Sequence, residues 1–175
     1  MSIIIRIRQF FDPIVKYLRQ NNVIGPGEGI RTGDKKVISM FGELSVYYYL
    51  FEDYPNLNEM KGRAGFNHII DLKGKKIEVV TIEKSGWNTT SFGSKFYVSK
   101  EVAHADFVVF CIYHNLKLSI EICGFLPVSD LPKVGYFLPA GTVRTRNNGS
   151  TYQIYQDCYE VEKSAFNDMS KLKLL

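Results

Sequence analysis

The sequence predicts an α/β protein built on a central mixed β-sheet flanked by helices. Three observations predict it. Apolar residues recur at helical spacing in the first third of the chain, at Phe10, Ile14, Tyr17 and Leu18 and again at Leu44, Tyr47, Tyr48 and Phe51. β-Branched residues crowd the stretch from Ile69 to Ile82. The run DFVVFCIYHN, Asp106 to Asn115, is continuously apolar, as a strand buried on both faces must be. A length of 175 residues suits one compact domain, 1–175, and is too short for two full ones.

The elements follow in order. Residues Ile3 to Gln20 are amphipathic, with Pro13 suited to a first helical turn and Asp12 to an N-cap. Gly25 to Gly33, GPGEGIRTG, is glycine-rich but lacks the Gly-Lys-Ser/Thr ending of a phosphate loop, so it reads as a connector. Ser39 is a natural N-cap for MFGELSVYYYLFEDY, which Pro55 stops. Glu43 lies near the start of that helix, where a negative charge complements the helix dipole.

A polar loop carrying Lys61 and Arg63 then leads to a strand pair, Phe66–Leu72 and Lys76–Glu83, turning at Gly74. With Gly74 and Lys75 as a two-residue loop, Asp71 falls opposite Glu78, their Cβ atoms about 4.5–5.5 Å apart. Two carboxylates so placed repel unless a cation lies between them, and a hard divalent ion is the natural candidate. A plain solvent-facing hairpin, with Lys75 and Lys76 balancing the acids, explains the same residues without chemistry.

The next loop, KSGWNTTSFGSKF, mixes Lys84, Trp87, Phe92 and Lys95 with small polar residues. Basic and aromatic side chains together grip phosphates and stack on bases. Ser99 caps a short turn, KEVAHA, before the buried strand. LKLSIEICGFL follows as its hairpin partner, then a linker, PVSDLPKVGYFLPAG. A second hairpin turns at Asn147–Asn148–Gly149, and a helix runs from Ser164 to Leu174. His104 and His114 show no partner at metal or triad spacing and read as structural or surface residues.

Net charge is +4 with a pI near 8.9, compatible with a nucleic-acid partner. Cys111, Cys123 and Cys158 lack zinc-ligand spacing and read as buried thiols of a reducing, cytoplasmic setting. Charges break the apolar run of the N-terminus, so no membrane partner is expected.

The order is now a helix with an early glutamate, a strand with an aspartate, a tight turn, a strand with a glutamate, a short helix and a buried strand. This order resembles the PD-(D/E)XK superfamily of restriction-endonuclease-like nucleases. The residues that carry the resemblance are Phe41-Gly42-Glu43-Leu44, Ile70-Asp71-Leu72, Ile77-Glu78-Val79-Val80-Thr81, the run ADFVVF from Ala105, and ICGFLPVSDL. It spans roughly Ser39 to Leu131.

The resemblance implies a restriction-endonuclease-like fold and metal-dependent cleavage of DNA. Asp71 and Glu78 would hold Mg2+, or Mn2+, and Glu43 would help to order the site. The family's lysine belongs two residues after the second acid, where this chain has Val80. Lys84 shares the face of Glu78 and is the substitute named here, with Lys95 and Lys100 as others. Arg63, Lys84, Trp87 and Lys95 are the expected DNA contacts, and a homodimer is expected by the same analogy. Two other readings stay open. One is a catalytically inactive nucleic-acid-binding module, favoured by Val80. The other is a protein-interaction domain using the 11 tyrosines and 12 phenylalanines.

Overall fold

The computed structural model describes residues 2–22, 25–26, 34–53, 69–84, 95–145 and 149–175. Its fold is mixed α/β. A five-stranded sheet runs in the order β1-β6-β5-β3-β2, from β1 (Ile3–Arg6), β2 (Ile70–Leu72), β3 (Lys75–Lys84), β5 (Phe107–His114) and β6 (Ser119–Pro127). β3 and β5 are parallel, and the other pairs are antiparallel. A smaller sheet is ordered β4-β10-β7, from β4 (Lys95–Ser99), β7 (Tyr136–Leu138) and β10 (Cys158–Glu162). A separate hairpin joins β8 (Val143–Thr145) to β9 (Thr151–Gln153), as the sequence predicts.

Successive strand side chains point to opposite faces, so β3 separates two cores. Ile77 and Val79 join Val109, Cys111 and Tyr113 of β5 on one face. There they pack against α1 (Phe11–Gln20), α2 (Lys35–Phe51) and α4 (Met169–Lys173). Val80 and Ile82 lie on the other face with Val108 and Phe110. That face is covered mainly by the small sheet, through Phe96, Val98 and Val161, with Leu131 and Val102 from short helical turns beside it. Phe110 stacks on Phe166 at 4.1 Å between ring centroids, fixing the second core.

Several sequence expectations shift here. Ile3–Arg6 is an edge strand rather than the start of a helix, since three consecutive isoleucines favour the extended chain. Asp12 falls inside the first turn of α1 and does not cap it. Asp34, not Ser39, caps α2, its carboxylate accepting from Lys36 N at 2.8 Å. The expected linker contributes a helical turn, α3 (Leu131–Val134), and strand β7. The C-terminal helix shortens to α4, capped by Asp168. The chain before it is extended, because Asn167 bridges to Phe125. The turn after Ser99 forms as expected, with the Ser99 hydroxyl accepting from Glu101 N. All three cysteines are free thiols. Among the described residues no helix is long and apolar enough to cross a membrane.

Gly42 sets how closely α2 sits on β3. A Cβ built at Gly42 would lie 1.9 Å from Thr81 Oγ1. The hydroxyl is buried under the helix without a hydrogen-bond partner. Gly42→Ala should therefore destabilise the protein by about 2 kcal/mol despite alanine's better helix propensity. Adding Thr81→Ala should restore most of that loss in urea denaturation. A Gly42→Ala variant as stable as the parent would contradict the contact.

Glu121 on β6 fastens the C-terminal segment to the sheet. Lys163 Nζ lies 2.5 Å from one carboxylate oxygen and His114 Nε2 2.9 Å from the other. Burial raises the pKa of this carboxyl, but hydrogen bonds from Lys163, His114 and Ser2 outweigh burial and bring it to about 2. The folded-state value lies below the ordinary 4.5, so the stabilisation is full above pH 4.5 and is lost as pH falls towards 2. Glu121→Gln should therefore lower stability at pH 7 and differ little from the parent at pH 2.5, in urea titrations at both values.

Candidate active site

The acid-bearing hairpin is where sequence and structure differ most instructively. The two-residue loop is Lys73–Gly74, one residue earlier than the sequence suggests. Both residues have positive φ, 53° and 82°, the conformation of a type I′ turn with glycine second. Asp71 Oδ1 accepts from Gly74 N at 2.7 Å and holds the turn closed.

Moving the loop by one residue moves every pairing by two. Asp71 now opposes Lys76, Leu72 opposes Lys75 and Ile70 opposes Ile77. The expected direct opposition of Asp71 and Glu78 is thus incorrect. Because the strand repeat is also two, both acids still share one face of the sheet. They are diagonal neighbours, with Cα atoms about 7–8 Å apart.

Glu78 is half-buried, and its side chain turns to His104 at the end of the 3-10 turn Lys100–His104. His104 Nε2 lies 3.2 Å from Glu78 Oε2, and Nδ1 lies 2.8 Å from the carbonyl oxygen of Glu101. A carbonyl only accepts, so Nδ1 carries a hydrogen. The contact to Glu78 then needs a proton of its own, on the nitrogen or on the oxygen. Burial pushes the Glu78 carboxyl above its ordinary range, and the charge on His104 pulls it back only in part. His104, read from the sequence as a structural or surface residue, is exposed and contacts the candidate residue Glu78. No sequence spacing signals it, because the turn that carries it packs back over β3.

Asp106, just before β5, grips the start of β3. Its Oδ2 accepts from Lys76 N at 2.9 Å, its own N–H donates to Lys76 O at 2.8 Å, and Lys75 Nζ lies 3.4 Å from Oδ1. The backbone hydrogen bond from Lys76 is the main reason its carboxyl sits below the usual range.

The other expected site residues lie elsewhere. Glu43 is buried in the α2 layer, on the sheet face opposite Glu78, and accepts from the Ser39 hydroxyl at 3.1 Å. Lys84 ends β3 beside His114, six residues and about 20 Å from Glu78. Lys95 is engaged by Glu160 at 2.8 Å on the outer face of the small sheet, in a network with Tyr97 and Arg144. Arg63 and Trp87 lie outside the described residues. Val80 packs into the core between the sheets.

Magnesium is commonly held by one or two carboxylates, with water and phosphate oxygens completing its shell. Asp71 and Glu78 are hard oxygen donors of that kind on one sheet face, and each is engaged in this structure, Asp71 by Gly74 N and Glu78 by His104. Among the described residues no group of three histidine, cysteine or acidic side chains is gathered for a metal. Searches against protein-family models, curated proteins and solved structures returned no match to this chain.

A carboxyl with a raised pKa costs stability when ionised. That cost grows as pH rises from the unfolded value near 4.5 through the folded one. Glu78→Gln should melt higher than the parent at pH 8, with the gap closing as pH falls towards 4.5. A lower melting temperature for Glu78→Gln at pH 8 would show that His104 outweighs burial.

Proposed function

We propose that this chain is a metal-dependent endonuclease acting on the phosphodiester bonds of DNA. The observation that carries the proposal is the placement of Asp71 and Glu78 on adjacent strands and one face, beside Lys76. The sequence resemblance and the net charge of +4 support DNA as the substrate. Asp71 and Glu78 would hold the ion, most simply Mg2+, with Mn2+ as a substitute.

A bound divalent ion supplies Lewis-acid charge and an acidified water. The protein groups do the rest. Asp71 and Glu78 would hold the ion on the sheet face that also carries Lys76. In hydrolysis a water oxygen bonds to phosphorus, the bond to the leaving sugar oxygen breaks, and that oxygen takes up a proton. With Nδ1 protonated and Nε2 bare, His104 would be placed to accept the proton that the water gives up if Glu78 held the ion.

A second reading keeps DNA binding without cleavage. Val80, apolar and packed at the position of the family's lysine, favours it. Plasmid and branched DNA incubated with Mg2+ or Mn2+ separate the two. Metal-dependent cutting is expected from the parent, with Asp71→Ala and Glu78→Ala each slower by about 100-fold or more. Salt-sensitive binding with no cutting by the parent at any metal concentration would replace the first reading with the second.

A further inference from the structure

We infer that Lys76 is the cation that contacts the reacting phosphate; the inference rests on the nuclease reading above. On its own strand Glu78 has two same-face neighbours, Lys76 and Val80. Val80 points into the apolar core between the sheets, so no charge can act from that side. Lys76 is exposed and stands directly opposite Asp71. A single lysine is thereby set beside one acid and across from the other.

Its backbone is held from both sides. The Lys76 N–H donates to the Asp106 carboxylate and its carbonyl accepts from the Asp106 N–H. Asp106 directs Oδ1 to the Lys75 ammonium and Oδ2 to the Lys76 backbone, and the Lys76 charge adds to the effects that lower the Asp106 carboxyl. Among the described residues the Lys76 ammonium makes no ion pair. Lys95 is neutralised by Glu160, and Lys84 stands at the far end of β3.

A lysine stem of four methylenes on a fixed backbone is long enough to reach across the face shared by the two carboxylates. A phosphate drawn to an ion there would place a non-bridging oxygen within its reach. Lys76 keeps its proton throughout and offsets the negative charge that grows on the phosphoryl oxygens as water attacks. The second face-sharing position on the strand would then supply what the position of Val80 does not.

The test compares Lys76→Met, Lys76→Arg and, as a control at an exposed lysine far along the chain, Lys117→Met in single-turnover cleavage at saturating Mg2+, with DNA affinity measured separately in Ca2+. Lys76→Met should slow cleavage about 100-fold while its DNA affinity stays within about 3-fold of the parent. Lys76→Arg should recover most of the rate, and Lys117→Met should cut at about the parental rate. Circular dichroism confirms that each variant is folded, and Lys76→Gln replaces Lys76→Met if the latter is not. Cleavage by a folded Lys76→Met within about 3-fold of the parent, with Asp71→Ala inactive, overturns the role of Lys76 and leaves the metal site standing. Absence of any cutting by the parent overturns both.

Discussion

The pleat of β3 is the constraint on which everything else is arranged. Its odd-numbered residues face the helices and its even-numbered residues face the small sheet. Ile77, Val79 and Thr81 therefore belong to one core, and Val80 and Ile82 to the other. Glu78 and Lys76 are even-numbered and share the second side. Glu43, carried by α2, is bound to the first side and cannot meet Glu78 without crossing the sheet. Eight consecutive parallel pairs with β5 lock this assignment, since a slip of one residue would turn both cores inside out.

Against that fixed pleat, the Lys73–Gly74 turn chooses which residues stand opposite one another. Glycine serves either position of a two-residue loop, first in type II′ and second in type I′. Sequence alone leaves that choice open. The chain takes the second option, accepts a lysine in the left-handed region, and offsets the strain through the Asp71 cap. Asp71 is thus a structural group and a candidate ligand together. Its capping role ties one carboxylate oxygen to the Gly74 amide and leaves the side chain exposed.

Much of this fold is legible in residue patterns, and the reasons are local. The apolar run of β5, the hairpin flanking Asn147–Asn148–Gly149 and the Ser99 cap each rest on signals within a few residues. The misread parts depend on distant partners. Ile3–Arg6 is a strand because β6 offers it an edge, and Asn167 is extended because Phe125 does. The same holds at the site. The two acids and their shared face are readable from strand periodicity. His104 and Asp106 enter only through the way the chain folds back between β4 and β5.

The place of β1 carries a consequence for how the molecule is made. Residues 3–6 pair with residues 119–122, so β1 waits for a strand that is made long after it. On the ribosome that segment lacks its pairing strand until residues 119–122 have emerged. Such long sequence separation slows closure of the sheet and exposes an isoleucine-rich strand meanwhile. Arg6 and Arg8, which interrupt its apolar character, are then useful before the native state exists, as charges that discourage pairing with the wrong neighbour.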